Sequence, residues 1–126
     1  MNRFLFVAIG AALGANARYL VGLWAANRFG AGFPYGTLLV NITGSFLLGF
    51  IVTLATERLS ISPEARLLLA VGFLGSYTTF SSYAVESLGL LRDGGFWPGL
   101  LNIVTNNLIG IIFAAMGVYL ARWFGR

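Results

Sequence analysis

Four long apolar stretches follow one another along the chain, and short clusters of charged residues separate them. They cover residues 4–26, 35–56, 66–91 and 97–121. Each has roughly the 20 residues that an α-helix needs to cross a bilayer. The pattern therefore predicts an all-α integral membrane protein with four transmembrane helices. Because the links are short, we interpret residues 1–126 as a single membrane domain.

The third stretch contains a polar run, GFLGSYTTFSSYAVE, at residues 72–86. Glycine and β-branched threonine are weak helix formers, and threonine can hydrogen-bond to nearby backbone groups. This composition predicts a break in the third helix near residues 75–79, close to its middle. Broken helices at membrane depth are tolerated only where they are buried in protein or line a cavity. Carbonyl groups freed by such a break can bind a cation.

Helices two and four carry matching polar strips, in which residues recur at steps of four and therefore share a helix face. The strips are Thr37, Asn41 and Ser45, and Asn102, Asn106 and Gly110. The two helices could sandwich a polar layer between them. For Asn41 alone, two interpretations remain open: an interhelical hydrogen bond, worth about 1 kcal/mol in a membrane, or a place in a polar pathway.

Two ionisable groups lie inside the predicted spans. Arg18 interrupts a stripe of small residues, Gly10, Gly14 and Gly22, that predicts a packing face on helix one. Its side chain could snorkel to the headgroups, or it could attract anions into a water-filled vestibule. Glu86, near the end of helix three, could reach the interface or pair with an arginine, or it could carry protons.

The composition excludes most other classes of function. Hydrophobic residues make up 58% of the chain and charged residues 10%, which is too little polar surface for a soluble globule. Cysteine and histidine are absent, which excludes disulfides, thiolate chemistry and imidazole metal sites. Because no nucleotide loop, carboxylate pair or nucleophile triad occurs, the sequence does not indicate an enzyme.

The net charge of +4 does not indicate a nucleic-acid partner, because the arginines lie mostly at helix ends in a bilayer. Two arginines, Arg28 and Arg92, are on the side opposite the termini. Five are on the side of the termini: Arg3, Arg58, Arg66, Arg122 and Arg126. This bias favours termini in the cytoplasm. A bias of this kind does not fit a protein that inserts in both orientations, which would need a similar number of arginines on each side.

The remaining polar groups suit a small anion. Amide and hydroxyl donors together with aromatic ring edges can replace the water shell of an anion, whereas a cation pathway would need more carboxylates or carbonyls. Two alternatives are a small multidrug exporter and a scaffold subunit without transport. The exporters depend on a buried glutamate in helix one, which here has Arg18 and no acidic residue. A scaffold would leave the cluster of polar and aromatic residues around Phe80 unexplained.

Three motifs resemble the Fluc fluoride channels, also called CrcB. They are GxxxGAxxRY from Gly10, YGTLxVNxxG from Tyr35 and GFxGxxTTFSSYxxE from Gly72. The resemblance covers essentially the whole chain. It implies an antiparallel dimer with two pores in a bacterial inner membrane, whose passive fluoride export confers fluoride resistance. The partner would be an identical chain or a paralogue of opposite charge bias.

The same resemblance implies roles for individual residues. The anion pathway would be lined by Asn41, Thr79, Phe80, Ser82, Tyr83 and Asn106, with Arg18 near the vestibule and Glu86 at the far end. The carbonyl groups of Gly75 and Thr78 would hold a structural Na⁺ at the centre of the dimer. Two positions depart from the family pattern. Tyr83 replaces a phenylalanine of many members, and helix four carries Asn106 and Gly110 where many members place serine or another hydrogen-bonding residue.

Overall fold

The structure, a computed structural model, describes residues 2–58 and 61–124. It has four long helices: α1 (Arg3–Phe29), α2 (Tyr35–Glu57), α3 (Pro63–Gly94) and α4 (Phe96–Phe124). All four are long and apolar enough to cross a membrane, which confirms the predicted spans, and no strand occurs in the described ranges. Short π-helical stretches occur at Leu54–Arg58, Leu67–Leu74, Leu90–Gly94 and Thr105–Ile109. Arg126, which we counted in the charge comparison, lies outside the described residues.

The helix ends follow from local chemistry. Gly30 ends α1 with φ of 84°, and Gly95 links α3 to α4 with φ of 97°. Only glycine adopts such angles readily, which is why the chain turns sharply at these two positions. At the start of α3, Ser62 Oγ accepts a hydrogen bond from the Ala65 N–H at 3.2 Å, and Pro63 occupies the first turn.

Glycines bring α1 directly onto the first half of α3. Gly10 and Gly14 are buried, and a Cβ atom on either would overlap the backbone of α3, at Leu68 and Phe73 respectively. Small residues allow this close packing of backbones in a membrane. The packing face predicted for helix one is therefore confirmed. Its third glycine, Gly22, lies against α2 instead, opposite Gly36.

The two halves of α3 pack against different helices. The first half, residues 63–77, lies mainly against α1, whereas the second half, residues 80–94, lies against the beginning of α4. In turn, α2 packs along the end of α4, where Gly49 faces the Ala114 carbonyl. The helix that packs against α3 therefore changes from α1 to α4 at the middle of α3.

At this point two residues of α3 have extended backbone. Thr78 has φ −81° and ψ 160°, and Thr79 has φ −150° and ψ 121°. Helical geometry resumes at Phe80, where Thr79 serves as the N-cap by accepting a hydrogen bond from the Ser82 N–H at 3.3 Å. Gly75, in contrast, keeps helical angles of −62° and −31°. The threonines, rather than the glycines, are the extended residues.

Candidate functional site

Asn41 of α2 binds the extended backbone of α3 with both ends of its amide. Its Nδ2 donates to the Thr79 carbonyl at 3.0 Å, and its Oδ1 accepts from the Thr79 N–H at 2.8 Å. The second Nδ2 hydrogen goes to Asn106 Oδ1 at 2.9 Å. Asn41 thus supplies the partners that Thr79 would otherwise lack at membrane depth. Both of its N–H donors are engaged.

A buried network extends from Asn41 into α4. Asn106 donates its Nδ2 hydrogens to the carbonyl and Oδ1 of Asn102, at 3.0 and 2.9 Å. Asn102, which is fully buried, donates to Ser87 Oγ at 2.9 Å, and Ser87 donates to the Tyr83 carbonyl at 2.7 Å. Because the Asn106 donors are engaged with Asn102, Asn106 presents its oxygen to Asn41. The predicted polar layer between α2 and α4 is confirmed.

A neutral cavity of about 240 Å³ opens on one side of Thr79. Its lining contains no charged side chain, and consists of Asn41, Gly44, Ser45, Leu48, Thr78, Thr79, Phe80, Tyr83, Asn106 and Asn107. The rings of Phe80 and Tyr83 lie edge to face, with centroids 5.5 Å apart. Ring edges and neutral donors therefore line one small space.

On the other side of Thr79 lie two cavities whose linings include charged side chains. Arg18, Thr37, Thr79 and Ser82 line a cavity of about 330 Å³, which shares Thr37 with a larger one of about 560 Å³ that contains Glu86. Thr37 Oγ1 donates to Glu86 Oε1 at 2.9 Å, and the other carboxylate oxygen is buried without a hydrogen-bond partner among the described residues. Arg18 forms no ion pair in the described part of the chain. Its positive charge thus faces this cavity uncompensated.

The structure divides the predicted pathway residues between the two sides. Thr79 lines both the neutral cavity and the Arg18 cavity, and Oγ1 of Thr79 donates to Ser82 Oγ at 3.1 Å. Tyr83 and Glu86, which the helical period places on one face, line different cavities. No group of three or more acidic side chains that could hold a metal ion occurs among the described residues.

The third motif thus contains an extended Thr-Thr pair that an asparagine of α2 holds in place. Residues 5–118 match the family model described as CrcB-like protein, Camphor Resistance (CrcB). The chain belongs to this family. Among curated CrcB-like relatives, a protein of Chloroflexus aurantiacus is 46% identical over 99% of both chains. One from Trichormus variabilis is 49% identical over 95% of this chain and 88% of the relative.

A third relative, from a Roseiflexus species, is 48% identical over 92% of this chain and 94% of its own length. All three are named fluoride-specific ion channel FluC. With four membrane-crossing helices and this family membership, the chain is a multi-pass membrane protein.

Two polar residues of the site, Ser87 and Asn107, escaped the sequence reasoning. Ser87 joins the second half of α3 to Asn102 of α4, and Asn107 donates to the Tyr83 hydroxyl. One signal was present for Asn107, because a tyrosine hydroxyl within a bilayer needs a partner. Ser87 gave no such signal, since a lone serine in a helix usually bonds to its own backbone.

Proposed function

We propose that the chain is a fluoride-selective channel that lets fluoride leave the cytoplasm passively and so confers fluoride resistance. The observation that carries this proposal is the neutral cavity beside Thr79, in which Phe80 and Tyr83 combine ring edges with a hydroxyl group. Such a lining can replace the hydration shell of a small anion without a fixed negative charge. The names of the relatives support fluoride as that anion.

The pathway runs along the second half of α3. An anion would meet Glu86 and Thr37 at one end, pass the Arg18 side chain and Ser82, and reach the neutral cavity at Phe80. Because both N–H donors of Asn41 are bonded to protein groups, the role of Asn41 is to hold Thr79 in place. It can donate to the ion only if one of those hydrogen bonds opens. In this order the anion passes the positive charge of Arg18 before it reaches the neutral groups around Phe80.

The working form would be a dimer, whose two subunits meet at the interruption of α3. Gly75 and Phe80, on either side of the extended threonines, are exposed, Phe80 to 78%. Non-helical backbone at membrane depth needs protein cover, and a second copy would supply it. The resemblance to Fluc channels favours an antiparallel pair with two pores, formed with an identical chain or a paralogue, in a bacterial inner membrane.

We further propose that a structural Na⁺ binds at the interruption of α3. In a continuous helix the Gly75 carbonyl would accept from the Thr79 N–H, but that N–H donates to Asn41 instead. Likewise, the Thr78 carbonyl would accept from the Ser82 N–H, which bonds to the Thr79 side chain. Both carbonyl oxygens are therefore available as ligands, and carbonyl oxygens are suitable ligands for a hard cation. In a dimer, two copies of each would face one ion.

The deciding experiment for the function is an electrode measurement of halide efflux from liposomes that contain the purified protein. We expect fast fluoride efflux and no measurable chloride efflux. Chloride leaving as fast as fluoride, or no fluoride efflux at all, would contradict the proposal. Labelling of both termini in cells tests the assembly separately, because an antiparallel homodimer requires termini on both sides of the membrane.

A further inference from the structure

We infer that Asn107 positions the Tyr83 hydroxyl as an extra hydrogen-bond donor to the permeating anion. The inference rests on the proposed fluoride conduction and adds a residue to it. Asn107 Nδ2 contacts Tyr83 Oη at 2.7 Å, and both side chains line the neutral cavity together with Phe80. Asn107 lies on α4, whereas Tyr83 and Phe80 belong to the second half of α3.

The direction of this hydrogen bond follows from a second contact. Asn107 Nδ2 also lies 2.8 Å from the Ile103 carbonyl, which can only accept. Rotating the amide by half a turn would set two oxygens against each other, so the nitrogen must be the atom at this position. Its two hydrogens then go to Ile103 and to Tyr83. Tyr83 Oη is consequently an acceptor towards Asn107.

A hydroxyl that accepts still has its own hydrogen to donate. Among the described residues, Asn107 is the only hydrogen-bond partner of Tyr83 Oη. The hydroxyl hydrogen therefore has no acceptor among the described residues. The hydrogen bond from Asn107 also polarises the O–H group, so that it donates more strongly. By contrast, the N–H donors of Asn41 and Asn106 that line the same cavity are engaged with other groups.

Fluoride is the halide that gains most from such a donor, because it is the smallest and accepts hydrogen bonds most strongly. With Tyr83 in this position, the anion meets the edge of the Phe80 ring and one directed O–H group. A phenylalanine in place of Tyr83 would offer a ring edge alone. Tyr83 is thus a residue that contacts the anion, and Asn107 is a positioning residue that acts through it.

The test is a double-mutant cycle on fluoride efflux from liposomes. Replacing Tyr83→Phe removes one hydrogen bond to the anion, and we expect fluoride efflux about tenfold slower, with chloride still excluded. Asn107→Leu should slow efflux by a similar factor. In the double variant the efflux should equal that of Tyr83→Phe alone, because Asn107 has no remaining hydroxyl to orient.

Two matched variants control for general damage. Asn16→Leu removes an asparagine that donates to its own i−4 carbonyl, at Ala12, as Asn107 does at Ile103. Unlike Asn107, Asn16 has no tyrosine partner in the part of the chain that the structure describes. Tyr119→Phe removes an exposed hydroxyl elsewhere on α4. Both should conduct like the wild type. Asn107→Ala repeats the test without adding bulk, and size-exclusion profiles confirm assembly of each variant.

The possible outcomes separate the two proposals. If the wild type conducts fluoride but Tyr83→Phe is equally fast or faster, the donor role of Tyr83 is wrong while the channel function stands. If the two substitutions slow efflux multiplicatively, Asn107 acts on structure and its positioning role is wrong. An inactive wild type would overturn the channel function, and this inference with it.

Discussion

The two sides of Thr79 differ in how they could handle an anion. One side contains the half-buried Glu86 and Arg18, which forms no ion pair among the described residues, in cavities of about 560 and 330 Å³. On the other side is a cavity of about 240 Å³ with no charged side chain in its lining. Of these three cavities, the two larger ones contain charged side chains and the smallest does not.

This contrast matches two separate physical requirements. A fixed positive charge raises the local concentration of anions over several ångströms, and it does so in the presence of water. Removing water from the anion requires close donors, which act only at contact distance. A full charge beside the neutral cavity would hold the anion too firmly for it to leave. The backbone of Thr78 and Thr79, held by Asn41, lies between the two regions.

The largest effect should come from Asn41→Asp, which keeps the size of the side chain but removes both donors. The carboxylate would face the Thr79 carbonyl and Asn106 Oδ1, two acceptors that the amide now satisfies. Leaving such groups unpaired beside a buried charge is costly, so we expect fluoride efflux to fall at least about a hundredfold. The measurement is electrode-monitored efflux from liposomes.

Asn16→Asp is the control for this substitution, because Asn16 is exposed on α1 and, among the described residues, bonds only to its own helix. Phe80→Ile, which removes the ring edge from the neutral cavity, should also abolish most of the efflux while leaving the assembly intact. Unchanged efflux in both Asn41→Asp and Phe80→Ile would mean that the pore lies elsewhere in the molecule.

A smaller loss is expected when Na⁺ is removed, because this changes neither cavity directly. If the carbonyl groups of Gly75 and Thr78 hold the ion, its loss frees these groups at membrane depth and disturbs the backbone between the two regions. We expect efflux to fall by about tenfold in protein purified and assayed without Na⁺, and to recover on its return. Full activity in thoroughly Na⁺-free conditions would count against the site.

The sequence alone predicted the four spans to within three residues at each end, because hydrophobic length and charge clusters determine them. It also predicted the facing polar strips of α2 and α4. It did not predict that Gly72 and Gly75 keep helical backbone. Gly72 lies against Gly10 of α1, a close approach that glycine allows.

The contacts of Asn41 and Asn107 could not be predicted from periodicity, since they join residues 38 and 24 positions apart in the chain. A helical period gives the face of each residue but not the rotation of one helix against another. The division of Tyr83 and Glu86 between separate cavities has the same origin. Such details depend on packing, which the glycine contacts of α1 and α2 determine.

On the charged side, Arg18→Gln tests attraction without altering the neutral cavity, whose lining does not include Arg18. The glutamine keeps most of the length of the side chain but removes the positive charge, so fewer anions should gather near Ser82. We expect efflux to fall about threefold at low ionic strength, and the difference from wild type to shrink as an impermeant salt is added. A loss that is independent of salt would instead indicate that Arg18 serves packing.

The smallest effect should come from Glu86→Gln, which distinguishes an electrostatic role from proton transport. Thr37 can still donate to the amide oxygen of glutamine, so the local hydrogen bond survives while the negative charge disappears. Because that charge repels the permeating anion, we expect efflux to rise by about twofold or less at low ionic strength. If Glu86 instead carried protons, fluoride flux driven by a pH gradient would disappear in this variant while flux at equal pH continued. Measuring both conditions on the same liposomes therefore decides whether the carboxylate tunes the entrance or moves protons.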